Sequence, residues 1–107
     1  MDLNQIKSCV IKSNFRLTLH AEFERDADQI TLAEIKEAFF SPHAKIIEDY
    51  PNDPRGQSCL VLGFTKEGKP IHAVCGMGDS DTLVIITVYR PDPEGWIKSE
   101  LRREKKP

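Results

Sequence analysis

Three short apolar runs, separated by two turn-forming segments, constrain the fold of this chain more than any other feature of its sequence. The runs cover residues 58–65, 71–77 and 83–89. The segments between them, 66–70 and 78–81, contain Gly, Pro, Asp and Ser and have the length of hairpin loops. Such loops are too short for a crossover connection, so the three runs are predicted to form consecutive antiparallel strands.

Helical patterns occupy much of the first 40 residues. Leu3, Ile6 and Val10 lie at helical spacing, which predicts an amphipathic helix at the start of the chain. Thr31 is followed three residues later by Glu34, the pattern of a capping box at a helix N-terminus. The predicted helices cover residues 3–13, 20–28 and 32–40, and two further short strands cover residues 15–19 and 44–50.

The segment after the last apolar run carries a third kind of pattern. Two prolines end the strand, and Trp96, Ile97 and Leu101 then predict a C-terminal helix over residues 94–104. With helices first and an antiparallel meander afterwards, the expected fold class is α+β. We therefore expect residues 1–107 to form a single domain, with N-terminal helices packed on a small, mostly antiparallel sheet and a C-terminal helix.

Composition narrows the class of protein but not its function. Hydrophobic residues make up 39% of the chain and charged residues 30%, which are ordinary values for a globular domain. The apolar runs are too short to cross a membrane, and the N-terminus lacks the order of a secretory signal. Three cysteines without a CxxC motif argue against a disulfide framework and a structural zinc site; Cys59 and Cys75 lie in apolar runs and are expected to be core residues. We expect a cytoplasmic protein with no metal and no small-molecule cofactor.

The net charge of −2 conceals an asymmetry along the chain. Residues 1–53 contain 10 acidic and 6 basic side chains, whereas residues 54–107 contain 7 acidic and 9 basic ones. Strong sequence-independent binding to nucleic acid needs many cationic phosphate contacts, so any contact with RNA must be local. The basic side chains of the tail at 98–107 are Lys98, Arg102, Arg103, Lys105 and Lys106.

Several short motifs follow one another in a fixed order over residues 15–96. They are His20-Ala21 with Glu24 and Asp28, Ile30-Thr31, and the segments 46–51 (IIEDYP), 53–56 (DPRG), 58–63 (SCLVLG), 69–74 (KPIHAV) and 86–92 (ITVYRPD). In this set the chain resembles the bacterial group called domain of unknown function 4258, a distant relative of the RelE/ParE-type toxin fold. The resemblance implies two helices on a small, mostly antiparallel sheet. It also implies the toxin component of a toxin–antitoxin pair, with an antitoxin as partner, for which the CxxC zinc-finger type is a candidate.

Four residues are candidates for acid–base catalysis. His20 and Glu24 are four residues apart on a predicted helix, where a carboxylate can orient an imidazole and raise its basicity. His72, within an apolar run, and Tyr89, at the end of a strand, add a second imidazole and a phenol. Alternatives remain open, because Glu24 and Asp28 also suit a solvated acidic face, His20 a cap at a strand–helix junction, and His72 a buried structural role.

Cationic side chains supply candidates for phosphate binding. Arg55 lies in a turn cluster, from which a guanidinium can bind a phosphate in bidentate fashion, or pair with Asp49 or Asp53 instead. Arg90 follows the last strand and could bind an anion there. The set predicted to bind RNA or phosphate is Arg55, Arg90, Lys98, Arg102 and Arg103.

Two functions are expected from these residues together with the resemblance. The first is a metal-independent endoribonuclease toxin that cleaves RNA, free or on the ribosome, by attack of the neighbouring 2′-hydroxyl. This mechanism needs a base, an acid and a cation at one phosphate, so His20, His72, Arg55 and Tyr89 are predicted to line one concavity near the helix carrying Glu24. The second is a non-enzymatic protein-interaction module of the same fold.

Overall fold

The computed structural model describes residues 1–54, 56–93, 96–97 and 99–102, with the backbone alone at 96–97 and 101–102. Its helices are α1 (Leu3–Ile11), α2 (Leu19–Ala27) and α3 (Leu32–Phe40). Its strands are β1 (Phe15–Leu17), β2 (Lys45–Tyr50), β3 (Ser58–Phe64), β4 (Pro70–Met77), β5 (Leu83–Tyr89), β6 (Trp96–Ile97) and β7 (Leu101–Arg102). Each helix and strand predicted up to residue 89 is present, with bounds that differ from the prediction by a few residues at most.

The main sheet has five strands in the order β1-β5-β4-β3-β2. Strands β2 to β5 form an antiparallel meander, which confirms the predicted pairing of the three apolar runs. Strand β1 lies at the edge and pairs in parallel with β5. The fold is therefore α+β with a mostly antiparallel sheet, as predicted.

The helices begin where side chains cap their N-termini. Thr31 accepts a hydrogen bond from the backbone N–H of Glu34, and the Glu34 side chain accepts one from the N–H of Thr31, so the predicted capping box is formed. Asp2 and Gln5 form an equivalent box at α1. At α2, Thr18 accepts from the N–H of Ala21. Side chains thus satisfy helix N–H groups that have no partner within the helix.

The core lies between the helices and one face of the sheet. Alternate residues of β4, such as Ile71, Ala73 and Cys75, pack in one buried cluster with apolar side chains of α1 and α3. Helix α3 approaches β3 so closely at Gly63 that a Cβ there would lie 2.1 Å from the carbonyl oxygen of Ala38. Because successive side chains of a strand point to opposite faces, the residues between these core positions face away from the helices.

We call the sheet face turned away from the helices the outer face. One cross-strand row on it runs Lys45, Leu62, His72 and Tyr89, each residue directly opposite the next on β2, β3, β4 and β5. Directly opposed side chains of neighbouring strands lie about 5 Å apart and contact one another. This row therefore brings together residues that are far apart in the sequence.

The C-terminal segment differs from the prediction. In place of a helix over 94–104, the described residues form the antiparallel hairpin β6–β7, in which Ile97 pairs with Leu101. Ser99 has a φ of 65°, a left-handed conformation that turns the chain back and interrupts a right-handed helix. The three apolar residues on which the helix prediction rested do not determine the conformation of this segment. Residues 94, 95, 98, 103 and 104 of the predicted helix lie outside the described residues.

Candidate active site

The structure divides the predicted catalytic residues between two places. His20 and Glu24 lie on α2, beside the edge of β5, whereas His72 and Tyr89 lie on the outer face. Of the predicted phosphate-binding residues, Arg55, Lys98 and Arg103 lie outside the described residues, and Arg102 is described only by its backbone in β7.

At the α2 edge, two carboxylates bond to the backbone of β5. Glu24 Oε1 accepts from the N–H of Val88 at 3.1 Å, and Asp28 Oδ2 accepts from the N–H of Arg90 at 2.9 Å. Strand β1 pairs with β5 only as far as Ile85, so these N–H groups lie beyond its end. Four helical residues rise about 6 Å and two strand residues about 6.6 Å, so the two spacings match. The two carboxylates are thus not simply a solvated acidic face, because each bonds to the backbone of the sheet.

His20 contacts this edge from the solvent side. Its Nε2 lies 3.3 Å from Glu24 Oε1, and its side chain is 68% exposed. The predicted His20–Glu24 pair is therefore formed, but the oxygen that His20 contacts also accepts the Val88 N–H. The pair lies at the β5 edge of the sheet, where Glu24 bonds to the residue before Tyr89.

Arg90 bridges the two ends of the turn between α2 and α3. Its Nε donates to the carbonyl of Asp28 at 3.2 Å, and its Nη2 lies 3.3 Å from Glu34 Oε2. The backbone N–H of Thr31, and then the Arg90 guanidinium, hold the pKa of Glu34 below its ordinary value. The guanidinium that is predicted to bind phosphate therefore joins the two helices through Nε and Nη2.

On the outer face, His72 and Tyr89 form a bonded pair. His72 Nδ1 lies 3.2 Å from the Tyr89 hydroxyl, and the two rings meet edge to face with centroids 5.3 Å apart. His72 Nε2 lies 2.6 Å from the carbonyl oxygen of Ser99. A carbonyl only accepts, so Nε2 carries the proton and Nδ1 accepts from the phenol. His72 is 0% exposed, and the C-terminal segment occupies the position in front of its Nε2.

Lys45 lies at the other end of the same row, and no motif in the sequence marks it as a site residue. Its Nζ lies 2.6 Å from Glu100 Oε1, so consecutive residues of the C-terminal segment contact Lys45 and His72. A cavity of about 620 Å³ beside Lys45 is also lined by His43, Phe64 and Glu100. Alternation within residues 44–50 places Lys45 on one face of its strand, but the residue opposite it depends on a register that the sequence does not reveal.

The cysteines are unsuited to nucleophilic chemistry. Cys59 and Cys75 lie directly opposite each other on β3 and β4 and are both 0% exposed. Burial, and to a lesser extent the charge of Asp49, raises the pKa of the Cys59 thiol to about 11. Burial also raises the pKa of Cys75 well above its ordinary value. Since the thiolate is the reactive form, both residues serve the core, as expected.

Two further properties concern the described part of the chain. No three His, Cys, Asp or Glu side chains within it come together as a metal ion would require. No helix within it is long and apolar enough to span a bilayer. The polar groups of the row on the outer face are an imidazole, a phenol and an ammonium group.

Comparison with known proteins gives a family and no established activity. No curated protein and no solved structure matches the chain significantly. One family model, described as a domain of unknown function (DUF4258), matches residues 17–90. The matched segment runs from the end of β1 to the residue after β5, so it includes α2, α3 and the whole meander. Because the match covers more than half of the chain, the protein belongs to the family of domain of unknown function DUF4258.

Proposed function

We propose that the protein is the toxin component of a bacterial toxin–antitoxin pair and a metal-independent endoribonuclease that acts in the cytoplasm. The observation that carries the proposal is the bonded pair of His72 and Tyr89 on the outer face. The arrangement of helices on one face of a mostly antiparallel sheet supports it, because the resemblance to RelE/ParE-type toxins implies the same arrangement.

The pair suits cleavage of RNA by its own 2′-hydroxyl. The 2′-oxygen attacks phosphorus, the bond to the 5′-oxygen breaks, and a 2′,3′-cyclic phosphate remains. A base takes the proton of the 2′-hydroxyl, and an acid supplies one to the 5′-oxygen. His72 is the base and Tyr89 is the acid. When the Ser99 carbonyl has moved away, the imidazole proton shifts from Nε2 to Nδ1, which then donates to the Tyr89 oxygen. Nε2 can then take the proton of the 2′-hydroxyl, and the Tyr89 hydroxyl can give its own proton to the 5′-oxygen. A cation near the phosphate stabilises the charge that grows on its oxygens.

Substitution of the two residues tests this assignment. We expect His72→Asn and Tyr89→Phe each to lower RNA cleavage by about 100-fold or more and to abolish growth arrest on expression, since each removes a group that moves a proton. His20→Ala is the matched control, because it removes an imidazole at the α2 edge and is expected to leave cleavage in place. Cleavage is measured on a defined RNA in the presence of chelator.

Tyr89→Phe separates loss of chemistry from loss of folding, because it removes only a hydroxyl. His72 is buried, so its replacement can also affect folding. Thermal unfolding of each variant shows whether the fold is kept. Folded variants of both kinds that remain fully toxic would contradict the proposed chemistry. Relief of toxicity by a neighbouring gene for a small CxxC protein would identify the antitoxin.

A non-enzymatic interaction module is the second candidate, and one observation favours it. Leu19 and Phe23 lie one turn apart on α2 and are 72% and 67% exposed. Large apolar side chains exposed side by side are typical of surfaces that bind another protein. A toxin needs such a surface for its antitoxin, and an interaction module needs nothing more. Absence of RNA cleavage and of growth arrest in the wild-type protein would favour this second function.

A further inference from the structure

We infer that Lys45 is the phosphate-binding residue of the RNA site. In the structure, the carboxylate of Glu100 from the same chain occupies the position that the RNA phosphate would take. The inference rests on the proposed function, because it names the cation of the His72–Tyr89 site. It also assigns a role to the C-terminal segment, which acts as an internal stand-in for the substrate. The ligand that would replace it is an RNA phosphodiester.

The first support is that two consecutive residues contact two members of a single row. Ser99 contacts His72 through its carbonyl oxygen at 2.6 Å, and Glu100 contacts Lys45 through its carboxylate at 2.6 Å. Lys45 and His72 are separated only by Leu62, on the strand between them. Neighbouring strands are about 4.8 Å apart, so the two backbones lie about 10 Å apart, and a lysine side chain can reach across much of that distance.

The second support is the chemistry of the two contacts. A carbonyl oxygen accepts from the imidazole N–H, and a carboxylate accepts from the ammonium group. A bound phosphodiester would present the same kinds of acceptor, an oxygen to the imidazole and an anionic oxygen to the lysine. The C-terminal segment therefore satisfies the groups that a substrate would otherwise bind.

The third support is the space beside Lys45. The cavity of about 620 Å³ lies within the range of ligand sites and is large enough for a nucleotide. Besides Lys45 and Glu100, its lining includes the rings of His43 and Phe64, which meet edge to face with centroids 6.5 Å apart, and Lys66. Aromatic rings and lysines together suit a base and its phosphate.

The ion pair between Lys45 and Glu100 is weak enough for a phosphate to displace the carboxylate. The side chains of Lys45 and Glu100 are 49% and 47% exposed, and ion pairs between exposed groups are weak. A phosphate brought by RNA that also contacts other residues can therefore replace Glu100. Removal of the Glu100 charge should make that replacement easier.

Two variants with the same change in net charge test the inference. Glu100→Gln removes the stand-in, and Glu67→Gln is the control, because Glu67 also pairs with an exposed lysine, Lys69, at 3.8 Å. The probe is a labelled 2′-O-methyl hexaribonucleotide, which cannot be cleaved because its 2′-oxygens are blocked. Affinity is measured by fluorescence anisotropy at low salt. We expect Glu100→Gln to tighten binding about two- to fivefold, and Glu67→Gln to change it less than about 1.5-fold.

Lys45→Gln shows whether the gain in RNA affinity from Glu100→Gln depends on Lys45. We expect it to weaken binding and to remove the effect of Glu100→Gln, so that the double variant binds like Lys45→Gln alone. Equal gains from Glu100→Gln and Glu67→Gln would overturn the inference, as would a gain that persists without Lys45. A hexaglutamate peptide that competes for the site as well as unlabelled oligonucleotide does would also overturn it, in favour of an acidic peptide partner.

The binding assay separates this inference from the proposed catalysis. Binding of the blocked oligonucleotide requires no proton transfer, so the expected pattern of affinities would support the phosphate site even if RNA were never cut. Cleavage that depends on His72 and Tyr89 but is indifferent to Lys45 and Glu100 would retain the enzyme and overturn the inference.

Discussion

At the scale of single residues, one acidic side chain of α2 and one at its C-cap bond to β5 as a neighbouring strand would. Beyond the end of β1, Glu24 accepts the N–H of Val88 and Asp28 accepts the N–H of Arg90. Val88 is itself fully buried, so water does not readily replace a lost partner for its N–H. Hydrogen bonds to charged groups contribute more to stability than bonds between neutral groups.

Replacement of Glu24 should therefore lower the stability of the fold. We expect Glu24→Ala to reduce the free energy of unfolding by about 1–3 kcal/mol, because it leaves the Val88 N–H unsatisfied. Asp26→Ala is the control on the same helix, at an exposed position, and should stay within about 0.5 kcal/mol of the wild type. Urea unfolding measures both. Equal stability of the two variants would show that the contact with β5 contributes nothing.

At the scale of secondary-structure elements, the contact between α3 and β3 depends on one glycine. Gly63 faces the helix, and a Cβ at this position would meet the backbone of Ala38 rather than a movable side chain. The helix would have to move outwards, and the packing of Ile35 and Phe39 in the core would move with it.

Gly63→Ala should accordingly destabilise the fold by about 3 kcal/mol or more, since overpacking against a rigid backbone ranks among the costliest core changes. Gly68→Ala is the comparison. Gly68 has a φ of 82° but no atom within 4 Å of a built Cβ, so only about 1 kcal/mol of backbone strain is expected. Thermal unfolding ranks the two variants. A smaller loss at Gly63 than at Gly68 would contradict this account of the α3–β3 contact.

Elements were predictable from sequence where their signals are local. The capping box of Thr31 and Glu34 and the hairpin loops of the meander act over a few residues, and both are formed. The C-terminal helix was predicted wrongly, since three apolar side chains do not distinguish a helix from a hairpin, and the described residues form the β6–β7 hairpin. The candidate site was predicted only in part, since the position of Lys45 opposite Leu62 depends on register across distant strands.

At the scale of the whole molecule, size and charge are the relevant properties. The radius of gyration is 13.2 Å, close to the roughly 13 Å expected for a compact chain of this length. The first half of the sequence is acidic and the second half basic. Electrostatic attraction for nucleic acid therefore comes mainly from residues after position 54.

The basic tail can be tested without shortening the chain. We expect Lys105→Gln with Lys106→Gln to weaken RNA binding and to reduce the dependence of log Kd on log salt concentration by about 1.4, if both lysines contact phosphates of a single strand. Lys7→Gln with Lys12→Gln makes the same change in net charge within the acidic half and should leave the salt dependence nearly unchanged. Affinities at several salt concentrations provide the measurement. Identical salt dependence of the two double variants would exclude the tail from RNA binding.

The parallel pairing of β1 with β5 has a consequence for the order in which the protein folds. Thr18, which follows β1, bonds to Ile86 of β5 across 68 residues of sequence. At about 5–20 residues per second, a ribosome needs roughly 3–14 s to synthesise the intervening chain. Throughout that interval β1 and α2 lack the strand that completes them, whereas the local contacts of the β2–β4 meander can already form. The exposed apolar side chains of α2 are therefore available to a partner before the domain is complete.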